Sequence, residues 1–438
     1  MRRALALLLP LWLALLSACS RSDGRTELVI QRFFGACQAD YGQLTDPSKA
    51  DGECGIITAM INQFEARNPD IRVIENTVFW PGYDQLTAQL AANGAPDLVT
   101  MHSSAIPDYE ARGLLEPLDQ SLARIGIGPE QFTAAARAGV TVEGRTMGLP
   151  IDVWSPLWHV NLNLFRKAGL VRDGAPVLPT SPEEFHAQAE QFRRATGKPY
   201  FIQVTNKDYS GPMRIFYVWM LQQGAPLFTD ARHGNFASIE GRRALQFMRD
   251  LYQRGDSALN MDYAGAVSAY LKGEGGILVD GTWMVGQFDA ASRNEGSPLY
   301  QGYAVRPFPF LFHGRKVSLV DGHNWVMPRD PRRTAAEREA AQRFLAYFAA
   351  NDFQWARTGH FPAYREIIES PQWQQLPHRQ DLASITRDGE PLPKYVRRQS
   401  PIESIVGEEA AAAFTGAKPV DRALADMQRR ADEILQSY

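Results

Sequence analysis

Short apolar runs alternate with amphipathic stretches along most of the chain. Glu27 to Phe34 (ELVIQRFF) is rich in β-branched and aromatic residues and predicts a buried strand. From Gly55 to Asn68 the apolar positions Ile57, Met60, Ile61 and Phe64 recur at helical spacing, and Pro69-Asp70 ends that helix before a second strand, Ile71 to Val78. Tyr83 to Ala92 predicts another amphipathic helix, and Asp97 to Met101 a third strand. The rhythm resumes past Pro150. A short strand is predicted at Trp158 to Val160 and a short helix at Leu162 to Ala168, stopped by Gly169. Ser181 opens a longer helix, with Pro182 at its first position and Glu183 and Glu184 at the positive end of its dipole. Further helices are predicted at 212–223, 239–253, 267–272, 335–350, 408–413 and 420–435, with a buried strand at 276–279. Strand alternating with helix predicts an α/β sheet with helices on its faces.

The first nineteen residues follow a different pattern. Met1-Arg2-Arg3 leads into an apolar run from Ala4 to Leu16, and Leu16-Ser17-Ala18-Cys19 follows at once. Charge, apolar run, small residues and cysteine in that order are the layout of a bacterial lipoprotein signal, cut before a cysteine that becomes lipidated. The run from 4 to 16 reaches only ~20 Å as a helix, short of a ~30 Å hydrocarbon core, so a transmembrane span fits poorly. The expectation is a signal over 1–18, a lipid on Cys19, a tether over 19–26 and a protein held at the cell-envelope membrane, facing the periplasm.

The remaining length, roughly 420 residues, exceeds what one core organises and suits two domains. A formal net charge of −3 with no dense basic stretch excludes a nucleic-acid partner. In an oxidising compartment the two other cysteines, Cys37 and Cys54, are most simply a disulfide, which would stabilise the fold by ~3 kcal/mol in the chain-entropy model. A closed zinc site needs further ligands at tight spacing, which this pair lacks. No nucleophile elbow, H-E-x-x-H or phosphate loop is present, and no cofactor or metal is expected.

Several short motifs then appear in order. They include Ile56 to Glu65 with Asn68-Pro69, Gly94-Ala95-Pro96-Asp97-Leu98-Val99, and Gly148-Leu149-Pro150. Asn161 with Leu164-Phe165-Arg166-Lys167-Ala168-Gly169-Leu170 and Pro179 to Phe185 come next, and Gly273 to Ile277, Gly281-Thr282-Trp283 and Gly359-His360-Phe361-Pro362-Ala363 follow. Spread over more than 300 residues, this order resembles the extracellular solute-binding proteins of ATP-driven sugar importers, the group that contains maltose-binding protein. The chain departs from the family pattern at Gly276-Ile277, at Thr282, and in a long cysteine loop after the first strand.

The resemblance implies a two-lobed periplasmic-binding-protein type II α/β fold with a hinge and a ligand cleft. The expected lobes are 27–149 with about 285–325, and 150–284 with about 326–438. It also implies a monomer that hands a di- or oligosaccharide to the membrane permease of an ABC transporter. Sugars offer C–H faces to aromatic rings and hydroxyls to carboxylates, amides and arginine. The stacking candidates are Trp283, Trp154, Tyr83 and Trp219, and the polar ones His102, Ser103, Asp152, Asp280, Gly322, His323, Arg357 and Arg365. Trp154 and Trp219 could equally be core, and Arg357 simply solvated. Asp97 fits a structural place at its strand start. Two other classes stay open: an envelope glycoside hydrolase, and a receptor for a polyol or glycerol-phosphate ligand.

Overall fold

A computed structural model describes residues 24–437; the signal, Cys19 and most of the tether lie outside them. Two sheets organise the chain. In the first, Thr26–Arg32 pairs in parallel with Ile71–Thr77 and Leu98–His102, and His323–Val326 adds antiparallel, followed by Leu149–Pro150. The second has Phe201–Ile202 beside Ile277–Gly281, then Pro156–Asn161 and Tyr303–Pro307.

Local chemistry accounts for the main helices. Gly52–Arg67 turns Ile56, Ile57, Met60, Ile61 and Phe64 into the core against Leu28 and Ile30. In Pro182–Thr196, the Ser181 hydroxyl accepts from the Glu184 N–H and Gly197 closes the helix at a φ of 71°. The helices Ile239–Gln253 and Ala335–Ala350 run over the spans their periodicity predicts. The alanine-rich segment belongs to a longer helix, Gln399–Phe414, packed against Ser210–Gln222 and Val420–Gln436.

Sheet membership divides the chain differently from the expected lobes. Tyr303–Pro307, expected in the first lobe, pairs with Pro156–Asn161 in the second sheet. Ala335–Ala350, expected in the second, packs on the strand Thr26–Arg32 and shares its core through Phe344 and Leu345. The reason is that each crossing is short: the chain leaves the first sheet at Pro150 and enters the second at Pro156, and it returns between Pro307 and His323. These crossing segments are tied together, because Trp154 and Asp321 exchange backbone hydrogen bonds of 2.8 and 3.1 Å, and Asp152–Val153 pairs with Phe361–Pro362.

The Cys37–Cys54 disulfide is present, with Cα atoms 5.8 Å apart. It joins the loop after the first strand to the first turn of helix Gly52–Arg67. Buried Arg32 holds the same loop from beneath, donating to the Gly35 carbonyl at 2.5 Å and to Thr58 Oγ1 at 3.2 Å, and pairing with Glu75.

Candidate functional site

The crossing segments place an aromatic and polar cluster where the two sheets face each other. From the first-sheet side come Phe34, Trp80, Tyr83 and His102; from the crossings Asp152, Trp154, His323 and His360; from the second-sheet side Arg214, Tyr263, Asp280 and Trp283.

Trp283 sits two residues beyond the end of a buried strand, in the short turn Thr282–Met284. Its ring lies over Gly281 so closely that a Cβ there would fall 2.1 Å from the indole, so glycine is required for packing although its φ of −105° is ordinary. The Trp283 indole N–H donates to the Tyr263 hydroxyl at 3.0 Å, and the ring meets Trp154 edge-on at 5.6 Å between centroids. Gly359 has a φ of +129°, and a Cβ on it would lie 2.0 Å from the Thr282 carbonyl. That approach brings the His360 segment against the Trp283 turn.

Arg214 is the centre of the cluster. Its guanidinium carbon is 4.7 Å from the Trp154 ring centre, 5.1 Å from Trp283 and 6.0 Å from Trp80, a cation held over three indoles from both sides of the junction. Two buried donors here, Trp154 Nε1 and Arg214 Nε, have no protein acceptor. Asp280 lies beside Arg214 and Tyr263, and burial pushes its carboxyl up to about 7 against those two neighbours. Burial likewise pushes Glu403, facing Asp321 and Arg214, up to about 8. A recess of about 20 Å³ opens beside Asp280, Arg214 and Tyr263, room for about one water, so side chains fill this part of the junction.

Below the indoles lies a network that holds the crossings in place. Asp152 accepts from Trp355 Nε1 at 2.6 Å, from His323 Nδ1 at 2.8 Å and from the His323 backbone N–H at 3.0 Å. Burial raises the Asp152 carboxyl while these donors favour its charged form. Burial also pulls His323 down to about 3 and His360 to about 4, so both imidazoles are neutral. Phe34 adopts a φ of 85°, sparsely populated for a bulky side chain, and this turns its ring edge-on to His323 at 5.0 Å and Trp355 at 4.8 Å. His102 is held by Tyr83, whose hydroxyl donates to Nδ1 at 2.6 Å and accepts from the His102 backbone at 3.0 Å.

Of the residues expected from the sequence, Tyr83, His102, Asp152, Trp154, Asp280, Trp283 and His323 come together. Ser103 and Gly322 line the same junction but are used internally: the Ser103 N–H donates to the Gly322 carbonyl, and Ser103 Oγ accepts from Asn324 Nδ2 at 3.0 Å. Three expected ligands lie elsewhere. Trp219 is fully buried in the second core, 4.8 Å from Phe247, because it faces inward on a helix that is apolar nearly all round. Arg357 donates to the Pro47 and Ala50 carbonyls at 2.8 and 3.0 Å and so braces the cysteine loop. Arg365 is exposed and bonds the Glu130 carbonyl. Asp97 is structural, accepting from the Val29 N–H at 2.9 Å and from Arg333 Nε at 3.0 Å. Sequence reasoning missed Arg214, Tyr263, Glu53 and His360. Arg214 left a signal as the one charge within the apolar run from Pro212 to Leu221, and His360 lies inside the Gly359-to-Ala363 motif.

A two-sheet fold with its polar cluster at the crossings is matched over residues 59–381 by the family model described as bacterial extracellular solute-binding protein. The chain is a bacterial extracellular solute-binding protein. Among the relatives of this solute-binding protein, the sn-glycerol-3-phosphate-binding periplasmic protein of Yersinia pseudotuberculosis is 22% identical, over 89% of this chain and 91% of that one. A Brucella abortus chain named only as a candidate binding protein is 27% identical over 155 residues, and the match spans about a third of each chain, 35% and 36%. Maltose-bound MalE3 of T. maritima superposes with a TM-score of 0.77 at 18% identity, covering 93% of this solute-binding protein and all of the other, which establishes the shared two-lobed fold.

Proposed function

We propose that this solute-binding protein captures a neutral di- or oligosaccharide between its lobes and delivers it to the permease of an ABC importer, as a monomer tethered in the envelope through a lipid on Cys19. Its own chemistry is binding. The observation that carries the reading is the set of three indoles around Arg214, with the unpartnered donors Trp154 Nε1 and Arg214 Nε. Flat apolar faces next to hydrogen-bond donors and acceptors are what a polyhydroxylated ring requires. Since side chains fill much of the junction, the ligand enters as the lobes part and the rings close on it.

The Yersinia relative and the Arg214 cation favour a second reading, a glycerol-phosphate ligand. For the sugar reading, Asp280 and Glu403 face the same guanidinium and supply carboxyl groups of the kind that hydrogen-bond sugar hydroxyls. A thermal-shift screen over mono- and disaccharides, polyols and glycerol 3-phosphate, followed by calorimetry, ranks these ligands. A neutral sugar should bind best; tightest binding of glycerol 3-phosphate would replace the sugar reading, and binding of none would end both. Steady release of free monosaccharide from a glycoside would instead reveal a hydrolase.

A further inference from the structure

Three side chains from separate parts of the chain meet beneath the indoles: Glu53 in the first turn of helix Gly52–Arg67, His323 at the start of its strand, and His360 in the turn after Gly359. One ligating atom of each lies within 4.8 Å of the others. Hydrogen bonding fixes which imidazole nitrogens are free. Thr358 Oγ1 donates to the Trp355 carbonyl at 2.7 Å, so its contact with His360 Nδ1 at 2.6 Å is one in which the imidazole donates. The lone pair of neutral His360 is therefore on Nε2. That atom is fully buried, has no hydrogen-bond partner, and faces Glu53 Oε1 at 3.4 Å and Asp152 Oδ2 at 3.8 Å. A lone pair set against two carboxylate oxygens is repulsive unless a metal cation or a proton sits between them.

His323 is oriented by the same carboxylate. Its Nδ1 donates to Asp152 Oδ2 at 2.8 Å, which leaves the lone pair on Nε2. An imidazole oriented by a carboxylate behind it is the usual outer support of a metal-ligating histidine, and Asp152 is itself fixed by Trp355. We propose that Glu53, His323 and His360 form a binding site for a divalent transition-metal cation of the zinc class, with Asp152 and Thr358 as positioning residues. Two imidazoles and one carboxylate are a ligand set zinc accepts, with bonds of ~2.0–2.2 Å. Tetrahedral bonds of that length hold ligand atoms ~3.3 Å apart, so the Glu53–His360 separation of 3.4 Å already fits and His323 closes in by up to about 1.5 Å. The site is reachable, because the Glu53 side chain is 22% exposed. The two cysteines of the disulfide take no part, which is why no spacing in the sequence announces it.

Zinc alone tests the proposal, so the outcome is independent of the sugar reading. The mature protein, stripped with a chelator and titrated with zinc by calorimetry, should bind one equivalent; cobalt in its place should give the visible absorption bands of a low-coordinate site. Glu53→Gln and His360→Gln should each weaken zinc at least tenfold, and Asp152→Asn by about 10- to 100-fold. Thermal melts in chelator check that each variant is folded, with Glu53→Gln the mildest because Glu53 is partly exposed. Absence of saturable zinc binding in the wild type, or equal affinity in folded Glu53→Gln, overturns the site and leaves a proton shared between Glu53 and His360 as the account of their contact.

Discussion

At the scale of single residues, Trp283 and Asp280 carry the sharpest expectations. Trp283 contacts Trp154, Arg214 and Tyr263 at once, so truncation to alanine removes an indole from the junction and the anchor of the Tyr263 hydroxyl. A loss of roughly 2–4 kcal/mol in sugar binding is expected, about 30- to 1,000-fold in affinity. Calorimetry on the folded variant measures it, and near-wild-type affinity would remove Trp283 from the ligand's surroundings. Asp280 concerns stability. Its folded-state carboxyl is raised to about 7, chiefly by burial, while the unfolded chain titrates near the ordinary value of 3.8. Between those limits the folded state holds the extra proton, so stability falls as pH rises from about 4 to 7. Asp280→Asn has no charge to bury and should flatten that slope, by up to a few kcal/mol across the window. Chemical denaturation at several pH values decides it; an unchanged slope assigns the dependence to Glu403. The sequence made Trp283 legible through its glycine neighbour, which the ring does cover. It could not separate Trp154 from Trp219, because only long-range packing sends one to the junction and the other to the core.

Among the elements, the cysteine loop has the clearest local logic. It hangs from the first strand, and three devices fix it: the disulfide, buried Arg32 beneath, and Arg357 reaching over from the far side to two of its carbonyls. Arg357→Ala leaves those carbonyls without their charged donor and should destabilise the fold by about 1–3 kcal/mol, with sugar affinity unchanged within twofold. An affinity loss larger than the stability loss would restore Arg357 to the ligand's surroundings. Opening the disulfide by Cys37→Ser with Cys54→Ser should cost ~3 kcal/mol in the chain-entropy model, read from the denaturation midpoint; no change would mean that Arg32 and Arg357 already hold the loop. Long periodic helices such as Ile239–Gln253 were legible from the sequence because apolar spacing and caps agree within one segment. The strands Tyr303–Pro307 and His323–Val326 were not, being short and defined by partners more than 140 residues away in Pro156–Asn161 and 220 away in Leu98–His102.

For the molecule as a whole, the telling feature is that the site is built on the crossings. Asp152, Trp154, His323 and His360 lie on segments that also join the two sheets, so whatever binds there acts on the hinge directly. Motif order reports the family and with it the two-lobed fold, whereas sheet membership depends on where a chain crosses, and the five residues between Pro150 and Pro156 are enough to cross. Arg214 reaches from the second-sheet side to Trp80 on the first, and in the proposed mode of entry that contact breaks as the lobes part. Trp80 is 40% exposed, so it gives way at little cost in buried apolar surface. Without ligand, the protein should populate an opened form in solution, and a bound sugar should shift the population toward the closed one. Small-angle scattering with and without the best sugar should then show a smaller radius of gyration for the complex. Trp80→Ala, which removes one side of the latch, should keep the ligand-free protein open, loosen binding and make the contraction at saturating sugar larger. Identical scattering curves with and without a sugar that calorimetry shows to be bound would mean that the lobes do not move, and that the ligand enters by side-chain displacement alone.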